Sequence, residues 1–194
     1  MKRIIILAAA ALMALGCCSN QTEMGKDFLQ LAHDRYSVRS FSDTKADQDA
    51  IDKIIEAGRV APTAVNSQPQ KIYLVQSDEA MAKLSALTPC IYGAPHCFVI
   101  CYDDTVACKR GETGTWGEVD ATIVLTHMAL EAADLGLGTC IVGAFDAAAL
   151  SEALGLPSNV HPVLLLPFGY ASEKGVPSDR HSSRKDVSET VEVL

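Results

Sequence analysis

The chain has 194 residues, 48% of them hydrophobic, with 16 Lys plus Arg against 24 Asp plus Glu and a formal charge of −8. That length suits one domain once a leader is set aside, and that hydrophobic share can fill a sizeable core. The acidic balance argues against a nucleic-acid partner, which needs clustered cations to replace condensed counterions, and any bound anion must be held by local cations against the overall field.

The first segment reads as a leader. Lys2 and Arg3 precede an uninterrupted apolar run over residues 4–15. Such a run is too short for a spanning helix, which needs about 20 residues, and its flanks fit a secretory signal. Ala14-Leu15-Gly16-Cys17 then resembles a bacterial lipobox, where a small residue precedes a cysteine that is acylated and becomes the new terminus. Residues 1–17 are therefore expected to be a signal peptide with lipidation at Cys17, and residues 18–27 a polar tether. This implies a lipid-anchored protein of the cell envelope, on its periplasmic or surface side. Cys18 is a second candidate, and Ala14 departs from the usual Leu. An ordinary cleaved signal or a buried N-terminal helix fits the same residues. Without Lys2 and Arg3, 14 cations face 24 acids.

The expected domain covers residues 28–194. Apolar positions predict a short helix over 28–33, and then a basic loop over 34–41 with no helical stripe. Ile51, Ile54, Ile55 and Gly58 recur at helical spacing within 46–60, a helix that Ala61-Pro62 ends. A polar loop over 63–70, a strand over 71–76 and a helix over 79–87 follow. A strand over 96–102 and a surface loop over 103–115 lead into the longest helix, 116–137. Its buried stripe is Val124, Met128, Ala132 and Leu135, and Gly136 and Gly138 stop it. Residues 140–142 read as a strand, Asp146 as the cap of a helix to 154, and 163–168 as a fully apolar strand. Four short strands interleaved with helices predict a sheet covered by helices, of α+β or α/β type.

Beyond Cys17 and Cys18 there are five cysteines, at 90, 97, 101, 108 and 140. An odd number cannot form a complete disulfide set, and the spacings match no zinc site, so they read as buried free thiols. No metal site is expected. GxGxxG, GxxxxGK[ST], HExxH and GxSxG are all absent, and the lone His161 before a strand supports no catalytic triad.

Three segments stand out. In Arg35-Tyr36-Ser37-Val38-Arg39, an extended backbone would put Arg35, Ser37 and Arg39 on one side, two guanidinium forks and a hydroxyl suited to a phosphate. The same residues fit a solvated loop whose arginines pair with Asp34 and Asp43. The second segment, residues 61–69, includes Pro62, Thr63, Ala64 and Asn66. It offers amides and a hydroxyl that could meet the edge of a flat heterocycle, or is a plain helix-to-strand turn. In the third, residues 138–146, Gly143 and Ala144 have backbone N–H groups that a ring could approach closely, in what is otherwise a strand-to-helix turn.

Together these segments resemble the FMN-dependent nitroreductases. The order is R-x-S-x-R-x-F, A-P-T-x-x-N-S-Q-P, a long helix into L-G-L-G-T-C and G-A-F-D, then P-F-G-Y and a C-terminal arginine segment, across about residues 28–190. The resemblance implies a nitroreductase-like α+β fold, with a mostly antiparallel sheet flanked by helices, that binds FMN between the subunits of a homodimer. Arg35, Ser37 and Arg39 would hold the FMN phosphate and ribityl chain, with Arg184, and Arg180 as a weaker candidate, closing from the C-terminal side. Pro62, Thr63, Ala64 and Asn66 would line the isoalloxazine from the partner subunit, and Gly143 and Ala144 would offer N–H groups near the reactive nitrogen. The activity implied is ping-pong reduction of a small-molecule acceptor (a nitroaromatic, a quinone or a similar conjugated compound) with NAD(P)H or an envelope electron donor. Flavin would do the chemistry, with no protein nucleophile. The alternative is a flavin-binding lipoprotein that acts as a redox sensor or binding module without turnover. Gln70 stands where many members have Trp, Gly143 where many have an acid, and the segment over 103–117 is short. These departures leave substrate size and donor preference open.

Overall fold

The computed structural model describes residues 27–194, so the leader and the lipidation at Cys17 lie outside the described residues. Helix α1 (Phe28–Asp34) and helix α2 (Gln48–Arg59) open the chain, followed by strand β1 (Gln70–Val75) and helix α3 (Asp78–Leu87). Strand β2 (His96–Asp103) leads into a hairpin of β3 (Lys109–Arg110) and β4 (Gly114–Thr115). The long helix α4 (Gly117–Asp134), strand β5 (Gly138–Thr139), helix α5 (Ala147–Leu154) and strand β6 (Val160–Gly169) complete the set. The main sheet has the order β1-β2-β6-β5 with every pair antiparallel, the α+β architecture expected.

Strand β2 is apolar on both faces because both are covered. Phe98 and Ile100 face the layer of α2 and α4, with Ile54, Val124, Leu125, Met128, Leu166 and Phe168. Cys97, Val99 and Cys101 face the opposite cluster, with Leu84, Leu150 and Leu165. The period-two alternation of a strand therefore splits one continuous hydrophobic run between two cores. Phe98 and Phe168 stack across the β2–β6 pair with centroids 4.6 Å apart. On α2, Ile51, Ile54 and Gly58 are buried, and Gly58 lies so close to α4 that a Cβ there would sit 2.8 Å from Met128 Cγ.

Helix ends follow local chemistry. Asp47, Ser77 and Asp146 cap α2, α3 and α5 with side chains that accept backbone N–H groups, and Gly155 ends α5 in the left-handed region with φ of 64°. Gly136, with φ of 77°, follows α4 as its stop.

Several expectations need correction. The strand read over 140–142 is instead β5 at Gly138–Thr139, and Val142 makes only an isolated bridge to Leu165. Cys140 N–H donates to Pro167 O, but Pro167 has no N–H to return, so the ladder breaks there. Gly138 belongs to this strand rather than to the helix stop. Strand β6 starts earlier than predicted, because a register shift opposite Ile100 and Cys101 accommodates Pro162. The expected surface loop over 103–115 contains the β3–β4 hairpin. There the Arg110 guanidinium lies 4.6 Å over the Trp116 ring. Helix α4 begins one residue after Trp116. No helix of the described residues is long and apolar enough to cross a membrane.

Candidate functional site

The basic loop is extended and bound at both edges. Val38 is buried, and its N–H donates to Thr139 O at 2.8 Å beside a parallel bridge between Ser37 and Thr139. With Val38 turned inward, alternation turns Ser37 and Arg39 the other way. Gly138 makes this possible, since a Cβ there would stand 2.5 Å from Val38 Cγ2.

The same loop captures the C-terminal tail. Ser42 N–H donates to Tyr170 O, Ser172 N–H donates to Ser40 O at 3.0 Å, and the hydroxyls of Ser40 and Ser172 meet at 2.7 Å. The Tyr36 hydroxyl donates to Gly175 O at 2.9 Å, and its ring meets the His181 ring edge-on at 6.0 Å. Gly175 admits this contact because a Cβ there would lie 2.4 Å from Ser40 O.

These contacts enclose a cavity of about 560 Å³. Arg35, Tyr36, Ser37 and Arg39 line it from the loop, and Ser178, Arg180, His181 and Arg184 from the tail. All five phosphate-binding candidates named from the sequence thus meet at one site. Tyr36, Ser178 and His181 are additions. Tyr36 lay inside the quoted motif and His181 beside Arg180, but the tail has no periodicity from which a side could be read.

The four arginines form no ion pair with any carboxylate among the described residues. The expected alternative, pairing with Asp34 and Asp43, does not occur. Asp34 instead accepts from Gln30 Nε2 at 2.7 Å. Arg184 donates to the His181 and Ser183 carbonyls, and Arg39 reaches Ser37 O at 3.5 Å, which leaves most of the guanidinium donors free. Four cations without a carboxylate partner among the described residues thus surround one cavity in a chain of net negative charge, and planar guanidinium forks are the geometry that suits a phosphate.

Burial holds three of the thiols in their protonated form. Burial pushes Cys97 and Cys101 up to about 12. Burial also raises Cys140, against the opposing pull of Arg39 and Ser37. All five cysteines of the described domain are free; Cys97, Cys101 and Cys140 are buried as the sequence reading expected, but Cys90 and Cys108 are only partly buried. Among the described residues no group of three or more His, Cys, Asp or Glu could hold a metal ion. His161 pairs with Asp104 at 2.7 Å on the surface, away from the cavity.

The turn at Pro62, Thr63, Ala64 and Asn66 does not line the arginine cavity. It is a single 3₁₀ turn, Ala64–Asn66, with a strained backbone: Val65, Asn66 and Gln68 have φ of 48°, 56° and 48°. For Val, which is β-branched, this region is a true outlier. Ala64 N–H donates to Asp120 Oδ1 at 2.9 Å, and Gln68 N–H to Thr63 Oγ1 at 3.0 Å. The Val65 side chain is exposed, and the Asn66 amide has no partner among the described residues.

Gly143 and Ala144 follow the Val142–Leu165 bridge and are exposed. Thr88 Oγ1 donates to Ala144 O at 2.7 Å, while the N–H groups of both residues have no acceptor among the described residues. A Cβ on Gly143 would meet only Leu164 Cδ2, at an ordinary 3.5 Å, so packing within the chain does not require glycine there.

The nitroreductase family model matches residues 32–90 and 87–170. An FMN reductase [NAD(P)H] of Bacillus subtilis strain 168 is 32% identical over 166 residues, which cover 76% of this chain and 67% of that protein. A crystal structure of a nitroreductase family protein from Clostridium difficile 630 superposes with a TM-score of 0.80 at 34% identity, covering 86% of this chain and 97% of the other. A structure from Desulfovibrio desulfuricans solved in complex with FMN superposes at 0.74 with 26% identity, covering 84% and 94%. The fold is an α+β domain with a cation-lined cavity at its loop–tail junction. The chain belongs to the nitroreductase family.

Proposed function

We propose that this protein reduces nitroaromatics, quinones or similar conjugated acceptors as a homodimer, with NAD(P)H or an envelope carrier as electron donor. As a member of the nitroreductase family it is an FMN-dependent oxidoreductase. The observation that carries the reading is the cavity in which Arg35, Arg39, Arg180 and Arg184 converge without an acidic partner. When bound, FMN supplies two-electron hydride chemistry, and the protein supplies orientation and electrostatics. The arginines and Ser37 bind the phosphate and ribityl chain. The free N–H groups of Gly143 and Ala144 are donors for the ring's edge, and Arg39 adds preorganised positive charge where reduced flavin is anionic.

Two features support the homodimer. The turn at Pro62, Thr63, Ala64 and Asn66 does not line the arginine cavity of its own chain, so its contact with a ring would come from a second copy. An apolar cleft of about 710 Å³ between α1, α2 and α4, with Phe28 and Val60 exposed at its rim, offers that copy a surface to cover. The leader supports an envelope location with Cys17 acylated. Mass spectrometry of the mature N-terminus tests this, and an intact Met1 or an unmodified terminus beyond Cys18 would overturn it.

The absorption spectrum of the purified protein, before and after FMN is added, tests the central reading. Flavin absorbance that NADH bleaches supports a nicotinamide donor, and bleaching by dithionite alone supports an envelope carrier. A colourless protein that takes up no FMN overturns the assignment.

A further inference from the structure

Asp120 is almost fully buried in the first turn of α4, yet its carboxylate has one protein partner. Oδ1 accepts the Ala64 N–H at 2.9 Å, and Oδ2 is buried with no partner among the described residues. A carboxylate in this position has to be matched to something, since burying a charge without partners is costly. The N-terminal end of α4 offsets part of that cost. The rest of the arrangement points at the turn over residues 62–68. Three left-handed non-glycine residues persist only where their surroundings over-determine them. Among the described residues, Asp120 is the only side chain outside the turn that bonds to it. The other tie, from Asp103 N–H to Pro69 O at 2.8 Å, lies beyond the strained residues.

We propose that Asp120 is a positioning residue for the flavin. By holding the Ala64 N–H it fixes how Pro62, Ala64 and Asn66 meet the ring held in the partner subunit's cavity. The proposal rests on the FMN reading given above. Asp120 touches neither cofactor nor substrate itself. Its carboxylate turns the strain stored in Val65 and Asn66 into a fixed binding surface.

Two variants break the same bond from opposite sides. Asp120→Ala removes the acceptor. Ala64→Pro removes the donor with little change to the backbone path, because Ala64 is the first residue of a 3₁₀ turn and the preceding Thr63 is already extended (φ −131°, ψ 158°), as a residue before proline prefers to be. The new proline ring also meets the flavin, so Asp120→Ala is the variant that isolates the bond. Each variant should bind FMN and riboflavin about tenfold more weakly, because the lost contact is to the ring that both share. Each should also change the visible circular dichroism of bound flavin. The double variant should be no worse than the weaker single one, since one bond is lost in all three. Asp120→Asn keeps the accepting oxygen and should restore affinity to within about twofold. Wild-type affinity in both Asp120→Ala and Ala64→Pro, or lowered thermal stability with unchanged flavin affinity and dichroism, overturns the proposal. A loss in Asp120→Asn as large as in Asp120→Ala overturns it too. A wild-type protein that binds no flavin overturns the functional reading itself, an outcome seen before any variant is made.

Discussion

Tyr36 and Gly175, 139 positions apart, are joined by a 2.9 Å hydrogen bond from the phenol to the carbonyl. The bond links the loop that carries Arg35 and Arg39 to the tail that carries Arg180 and Arg184. Tyr36→Phe removes it and leaves the ring in place. One such bond is worth about 0.5–1.5 kcal/mol net, so FMN affinity should fall about threefold to tenfold. Flavin titration measures this, and unchanged affinity would show that the other loop–tail contacts suffice.

Arg35→Ala, Arg39→Ala and Arg184→Ala should each weaken FMN binding about tenfold to a hundredfold, from a charge-assisted bond worth about 1.5–3 kcal/mol. Riboflavin has no phosphate and should bind the Arg35→Ala and Arg184→Ala variants almost as it binds the wild type. Exposed surface pairs are worth about 0–1 kcal/mol, so arginines with only that role would leave FMN affinity unchanged.

Gly138→Ala should harm both stability and cofactor binding. The new Cβ would be 2.5 Å from Val38 Cγ2, and a β-branched side chain has little freedom to turn aside. Overpacking of this kind costs about 1–3 kcal/mol, or about 2–12 °C in a domain of this size. Val38 lies between Ser37 and Arg39, so its displacement should also lower FMN affinity. Calorimetry and flavin titration on one preparation would show whether the two losses occur together.

His96 makes stability sensitive to acid. Its ring is buried, stacks on Phe168 with centroids 5.2 Å apart, and has no partner on either nitrogen among the described residues. Burial first and Lys45 second lower its pKa, so the folded protein holds it neutral. The unfolded chain, with an ordinary histidine value near 6.5, binds the proton more readily. Stability is therefore intact above about pH 6.5 and declines as the pH falls below it, until the lower folded-state value is reached. His96→Phe should lose this slope. Melting temperatures from pH 7.5 to 5 would test it, and parallel profiles for the two proteins would rule His96 out as the source.

The arginine motif was readable because its two-residue period carries chemistry. Arg35, Ser37 and Arg39 could be put on one side before any fold was known, whereas Arg180 and Arg184 came only from the resemblance to the nitroreductases. The helices were legible for a similar reason: Ile51, Ile54 and Gly58 repeat at helical spacing, and Asp146 is a local cap. What failed to show was set by partners distant in sequence. Strand β5 depends on where Pro167 interrupts its neighbour. The β3–β4 hairpin has two residues on each side, too few for any alternation. Asp120 carries no signal in the sequence, since only the folded chain brings it to Ala64. The left-handed residues of the turn are not glycines, so no residue type announced them.

The cavity is assembled from opposite ends of the domain, with residues 35–39 on one side and residues 178–184 on the other. During synthesis, the sheet's last long strand is complete before Arg180 and Arg184 have been made. If these arginines hold the phosphate as proposed, cofactor capture is a late event. The sheet and its two cores must hold together first, without nucleotide to template them, and a chain cut short by about twenty residues would keep its architecture while losing half of its grip on the anion.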